Sequence, residues 1–273
     1  MEYNEKCQKL KNTMQQYAQE DVMIAFSGGV DSSLLLKLAT EAAKETGKKV
    51  YAATLHTMLH PAAELSEAKA VADEMGAEHI VLQVDELSEA DISMNPENRC
   101  YRCKKCLFTK VLEKAAELSV HTVIEGTNED DLHVYRPGIK AVQELGIASP
   151  LAQAEMTKEE VRKLAAEYNV SSSNKPSTPC LATRFPYGTE LTYEKMQQVE
   201  AGETFLKTFG FYNVRVRVHD DVARLEVDAD KLPLLIEHRD EITTHMKTLG
   251  YTYITFDLEG FRSGSYDTTA SEK

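Results

Sequence analysis

Five apolar residues, Val22 to Phe26, run directly into Ser27-Gly28-Gly29-Val30-Asp31-Ser32-Ser33, and the mostly apolar stretch Leu34 to Ala39 follows at once. A short apolar run of this kind reads as a buried strand. The stretch after the glycines reads as a helix closed near Gly47. Little chain separates the two, so the backbone must turn tightly at the glycine pair, where no Cβ stands in the way. The amides of such a loop point inward at a helix start, the positive end of the helix dipole. The hydroxyls of Ser27, Ser32 and Ser33 are expected to add donors, completing a phosphate nest. No Gly-Lys-Ser/Thr follows, which excludes the P-loop, and the G-x-G-x-x-G dinucleotide fingerprint is absent.

The same rhythm continues along the chain. Residues 1–20 form an amphipathic helix pattern with Leu10, Met14 and Tyr17 on one face. Strands are expected at Lys49–Leu55, His79–Val84 and His121–Glu125, and helices at 62–75, Lys104–Leu118 and 157–168. Thr157-x-x-Glu160 reads as a capping box. Alternating strands and helices predict a parallel sheet with helices on both faces, and such sheets bind ligands at the carboxyl ends of their strands. Two of those ends, after Phe26 and after Glu125, carry the most unusual residues. Residues 171–192 have loop composition and mark a boundary. Beyond it come a helix at 193–209, strands at Val214–Val218 and Ala223–Val227, a helix at 233–248 and a strand at Tyr251–Phe256. The expected organisation is an α/β domain over residues 1–170, a smaller α+β domain over 171–264 and a polar tail over 265–273.

At 273 residues the chain has room for both. Its 31 basic and 44 acidic residues leave a net charge of −13, which argues against a general nucleic-acid binder. No apolar run reaches the length of a membrane span. The amino end is polar and acidic, unlike a signal peptide. The expectation is therefore a cytoplasmic protein with no membrane partner and with reduced cysteines. Of five cysteines, Cys100, Cys103 and Cys106 form a C-x₂-C-x₂-C run, half of a zinc site or most of an iron–sulfur site. Cys180 is the distant candidate for a second element, and Cys7 is expected to be bland.

Ser27-Gly28-Gly29-Val30-Asp31-Ser32 closely resembles the PP-loop of the ATP pyrophosphatase superfamily, whose members cleave ATP between the α and β phosphates. The resemblance implies a loop that grips pyrophosphate and an Asp31 that helps hold Mg²⁺. It also implies a second nucleotide element in Gly126-Thr127-Asn128 with Asp130 and Asp131. His56, just past the second strand, falls where this fold often meets adenine. Pro179-Cys180-Leu-Ala-Thr-Arg184-Phe-Pro-Tyr-Gly188, Cys100-Tyr-x-Cys103-Lys104 and Leu258-Glu-Gly-Phe-Arg-Ser-Gly264 together resemble the LarE family, over nearly the whole chain. These are ATP-dependent sulfur transferases that help make the nickel-pincer nucleotide of lactate racemase.

That resemblance implies a substrate, pyridinium-3,5-biscarboxylic acid mononucleotide, whose carboxylates are adenylated and converted to thiocarboxylates. It makes Cys180 the sulfur carrier, in one of two versions. Either Cys180 gives up its own sulfur and becomes dehydroalanine, or Cys100, Cys103 and Cys180 hold a [4Fe–4S] cluster with sulfide on its open iron. Cys106 is then a spare thiol or an alternative ligand. The substrate's anionic groups call for cations. Arg215 and Arg217 alternate onto one face of a strand, and Glu226 is expected to orient one of them. Arg184, Lys104 and Lys105 are expected beside the adenylate or the thiolates, while Glu200 and Glu203 are weaker candidates. The resemblance also implies a homo-oligomer, a hexamer. A tRNA thiolase, which calls for a basic surface, and an ammonia-using synthetase, which needs no cysteines, are the enzymatic rivals. A module that senses ATP without cleaving it is the rival outside catalysis.

Overall fold

The computed structural model describes residues 1–59, 63–134, 136–174 and 179–262. The expected tail at 265–273, the end of the Leu258–Gly264 motif and positions 175–178 of the expected boundary loop lie outside them. The described residues fall into two compact units. The first comprises residues up to Asp91 and those from Asn98 to 174; the second comprises Ile92–Glu97 and the residues from Pro179 onward.

The first unit opens with α1 (Tyr3–Tyr17), β1 (Val22–Ala25), α2 (Val30–Thr46), β2 (Val50–His56), α3 (Ala63–Met75) and β3 (Glu78–Gln83). It continues with α4 (Glu86–Glu89), α5 (Arg99–Glu117), β4 (Thr122–Ile124), α6 (Gly138–Glu144), α7 (Pro150–Gln153) and α8 (Lys158–Glu167). Its four strands are all parallel, in the order β3-β2-β1-β4. Successive residues of β1 point to opposite faces. Val22 and Ile24 enter a core with Leu10 and Met14 of α1, Leu34 and Leu35 of α2, and Val161 and Leu164 of α8. Met23 enters a second core with Phe108 and Val111 of α5 and Val142 of α6. Both faces are thus covered, which is why β1 reads as an unbroken apolar run.

Gly47, left-handed with φ of 70°, closes α2, and Thr157 and Glu160 form the capping box that opens α8. Two departures concern helices. The helix expected from Lys104 starts at Arg99, so all three clustered cysteines lie within α5. Helices α4, α6 and α7 were not expected; they are four to seven residues long, and the latter two begin at Gly138 and Pro150, which read as breakers.

The second unit holds α9 (Tyr193–Lys207), β5 (Val214–His219), β6 (Val222–Val227), α10 (Leu232–Glu237), α11 (Arg239–Thr248) and β7 (Tyr253–Phe256). Strand β5 pairs antiparallel with β6, and β6 pairs parallel with β7. The single helix expected at 233–248 is two helices, α10 and α11, meeting at His238. The segment Ile92–Glu97 belongs here because Asn95 is fully buried and donates to the carbonyls of Phe185 (3.1 Å) and Pro186 (2.7 Å).

Ile24 lies fully buried on a central strand. Ile24→Ala is expected to lower the unfolding free energy by roughly 2–5 kcal/mol, through lost burial and the cavity left behind. Urea unfolding followed by circular dichroism checks this.

Candidate active site

The strand order makes β1 and β4 neighbours although β1 first connects to β2. The chain therefore leaves these two strands in opposite directions, and their carboxyl ends flank a switch point, where open parallel sheets bind ligands. The loop after β1 is Phe26 to Gly29, with Gly28 at φ of 70°. Ser27 and Ser32 hydroxyls lie 3.2 Å apart, Ser32 donates to the Gly29 carbonyl (3.2 Å), and the Gly29 amide donates to the Ser27 hydroxyl (3.3 Å). Helix α2 begins at once, with Gly29 as its N-cap and no side chain capping it. Its first amides are left for a ligand, together with the positive end of a 17-residue helix. Ser33 departs from expectation. It is fully buried and its hydroxyl has no hydrogen-bond partner, so it is not offered to solvent as a phosphate donor.

The loop after β4 comes extremely close to α2. A Cβ on Gly126 would stand 3.0 Å from the Asp31 Cβ and 3.2 Å from the Ser32 amide nitrogen, so only glycine fits without displacement. Asn128 donates to one Asp31 oxygen at 3.2 Å, and the Lys158 ammonium, from the start of α8, pairs with the other. The Lys158 amide also donates to Asp130 at 2.8 Å. Asp131 accepts from the Asn128 amide (3.1 Å) and pairs with Arg136 (3.1 Å). Glu125, almost fully buried, accepts from Thr127 and Ser149 and lies 3.5 Å from Lys104. Sequence reasoning missed Glu125, Ser149 and Lys158. His56 ends β2, at the same end of the sheet as the phosphate loop, partly exposed.

The clustered thiols lie one helical turn apart along α5. Cys100 is exposed, while burial and the nearby Glu89 carboxylate push the Cys106 thiol up, leaving it less thiolate at neutral pH. Cys7 is buried in the core. Lys105 does not face the thiols' chemistry as expected. Its ammonium is paired with Glu144 (2.8 Å) and Tyr101 (2.9 Å), fastening α5 to α6. Among the described residues no three His, Cys, Asp or Glu side chains form a group that could hold a metal ion.

In the second unit Cys180 precedes a short 3₁₀ turn, Leu181–Arg184. Arg184 was expected to reach a ligand; instead it is 1% exposed and works inward. Its guanidinium grips both oxygens of Glu203 at 2.8 Å and donates to the carbonyls of Pro179 (2.8 Å) and Cys180 (3.1 Å). Glu203 also accepts from the Val216 amide at 3.1 Å, joining α9 to β5. Arg217 donates to the Thr183 carbonyl at 2.6 Å and pairs with the fully buried Glu226 at 3.0 Å. Glu226 lies opposite Arg215 in the ladder, yet it orients Arg217 and Arg224 rather than Arg215. Arg215 makes no ion pair among the described residues; it donates to the Val214 carbonyl and lies over the Phe261 ring. Burial, with the Arg184 charge adding to it, pulls its guanidinium down to about 10, still cationic at neutral pH. A desolvated cation without a carboxylate is suited to an incoming anion.

A glycine loop opening an uncapped helix at the switch point of a parallel sheet defines a PP-loop protein, and the PP-loop domain family matches residues 2–133. An uncharacterised protein of Synechocystis is 38% identical over 94% of this chain and 96% of its own. The pyridinium-3,5-bisthiocarboxylic acid mononucleotide synthase of Lactiplantibacillus plantarum is 36% identical over 92% of this chain and 90% of its own. An uncharacterised protein of Methanocaldococcus jannaschii is 30% identical over 96% and 100%. The chain belongs to the LarE family of ATP-dependent sulfur-transferring enzymes. No helix among the described residues is long and apolar enough to cross a membrane.

The Arg184–Glu203 pair is buried on both sides. Removing either partner strands the other charge, so Arg184→Met and Glu203→Leu are each expected to cost roughly 3–5 kcal/mol. The double variant is expected to cost less than either single one. Urea unfolding of the three variants tests this.

Proposed function

We propose that this protein is an ATP-dependent synthase of the pyridinium bisthiocarboxylate type, exchanging carboxylate oxygen for sulfur on a pyridinium-3,5-biscarboxylic acid mononucleotide. One observation carries the ATP half of the reading: α2 leaves the glycine loop with its amino end uncapped and the Asp31 carboxylate beside it. The amides suit a pyrophosphate, and Asp31 is a hard oxygen ligand suited to Mg²⁺. His56 is a candidate neighbour of the adenine. A substrate carboxylate oxygen attacks the α-phosphorus, the bond to the bridging oxygen breaks and pyrophosphate leaves with that electron pair. The acyl-adenylate then has a good leaving group, AMP, where the free carboxylate had none.

Sulfur chemistry belongs to Cys180 in this reading. As a thiolate it attacks the acyl carbon and expels AMP, giving a thioester. Loss of the Cys180 α-proton with cleavage of its Cβ–S bond leaves the thiocarboxylate and a dehydroalanine. Arg184 acts through the backbone: by holding the carbonyls of Pro179 and Cys180 it fixes the turn that presents the thiol. Arg215 is the candidate partner for the substrate's phosphate or second carboxylate.

The donor set also bears on a [4Fe–4S] cluster. Cys100 and Cys103, one turn apart on α5, suit two of its ligands; Cys180 would be the third, and the cluster would supply an open iron for exogenous sulfide. Cys106 is then the spare thiol.

The test is turnover under exclusion of oxygen with ATP, sulfide and the biscarboxylate mononucleotide, read by mass spectrometry of product and protein. The reading predicts thiocarboxylate from the wild type and none from Cys180→Ala. Dehydroalanine at position 180 assigns the sulfur to Cys180 itself; an intact Cys180 with bound iron and labile sulfide assigns it to a cluster. Wild-type protein that makes no thiocarboxylate overturns the reading.

A further inference from the structure

The chain makes one excursion that the strand and helix rhythm does not require. Residues up to Asp91 and from Asn98 belong to the first unit, but Ile92–Glu97 between them belong to the second. Ile92 and Asn95 are both fully buried there. The Asn95 amide donates to the Ile92 carbonyl at 2.9 Å, closing a turn. Asn95 then takes the left-handed φ of 46°, a conformation that asparagine tolerates better than most side chains. The turn therefore places a buried amide side chain at a fixed point of the second unit.

What this side chain holds is the stretch just after Cys180. An amide nitrogen has two protons to donate. Asn95 gives them to the carbonyls of Phe185 (3.1 Å) and Pro186 (2.7 Å). The backbone laces the same two segments together: the Gly188 amide donates to the Asn95 carbonyl (3.0 Å), and the Leu191 amide to the Ser93 carbonyl (2.7 Å). Upstream, Arg184 holds the carbonyls of Pro179 and Cys180, and Arg217 holds that of Thr183. The two arginines thus fix the first part of the Cys180 turn, and Asn95 fixes the part where the chain leaves it.

We propose that Asn95 is a positioning residue for Cys180. Its amide anchors the exit of the turn, acting through the backbone of Phe185 and Pro186, so that the thiol is presented in one orientation. Without these donors two carbonyls lose a buried partner, and the turn opens at its exit while the arginine contacts at its entrance remain. The functional part of this inference rests on the reading that the sulfur chemistry belongs to Cys180, and on none of the ATP chemistry.

The test compares the whole protein with Asn95→Gly, which keeps the left-handed backbone and removes the donors. Asn95→Asp keeps the shape, puts an oxygen in place of the donating nitrogen, and serves if the Gly variant folds poorly. Iodoacetamide labelling of the reduced protein is followed cysteine by cysteine by peptide mass spectrometry. The Cys180 rate is expected to rise about tenfold, the range for hydrogen bonds lost from a buried site, while the Cys100 rate in the same molecules stays at the wild-type value. With ATP, sulfide and the biscarboxylate mononucleotide, pyrophosphate release is expected to keep its wild-type rate and thiocarboxylate formation to slow about tenfold. A merely structural Asn95 would lower the melting temperature and leave both the Cys180 labelling rate and the ratio of the two product rates unchanged. That result, or an equal loss of pyrophosphate and thiocarboxylate, overturns the proposal. A wild type that forms no thiocarboxylate overturns the sulfur reading instead, and the labelling rates still decide whether Asn95 holds the turn.

Discussion

The close approach of Gly126 to Asp31 is the constraint on which the phosphate site depends. Parallel pairing of β1 with both β2 and β4 brings two distant loops to one edge of the sheet. They meet this closely because position 126 has no Cβ: an added carbon would stand 3.0 Å from the Asp31 Cβ and force a small displacement. From that contact the rest of the site follows. Asn128 comes within reach of one Asp31 oxygen and Lys158 of the other. The site is therefore a product of topology more than of the loop motif, which by itself supplies amides and hydroxyls but no cation.

The second unit solves a different problem with buried charge. Arg184, Glu203, Arg217 and Glu226 are all nearly or fully buried, an expensive choice unless every charge is paired. They are paired, and one further nitrogen of each arginine reaches carbonyls, those of Pro179 and Cys180 from Arg184 and that of Thr183 from Arg217. Backbone that would otherwise be a free loop is thereby held from two sides, which preorganises the turn bearing Cys180. Such networks give rigidity and uniqueness rather than net stability. Arg215 stands apart, cationic and without an ion pair among the described residues, at the strand position facing Glu226 in the ladder.

Much of this was legible in the sequence, and what was not has physical causes. The strands showed because a buried parallel strand is an unbroken apolar run, as at Val22–Ala25. The helix boundaries at Gly47 and Thr157 showed because their caps have local chemistry. The start of α5 did not, since Arg99-Cys100-Tyr101-Arg102 carries no apolar stripe and no capping side chain. Arg184 was misread because composition cannot tell a solvated arginine from one facing a buried Glu203, which lies 19 residues on. Lys158 was not singled out, being an unspecified position inside the Thr157–Glu160 capping box. Its partner Asp31 is set by the packing of α8 against α2, and no local pattern announces that.

The central claim is that the glycine loop activates a carboxylate at the α-phosphorus of ATP. Quantifying the nucleotide products formed with the biscarboxylate mononucleotide tests it most directly. The account predicts AMP and pyrophosphate in equal amounts, and only when the carboxylate substrate is present. ADP and inorganic phosphate, or AMP formed at the same rate without substrate, would contradict it.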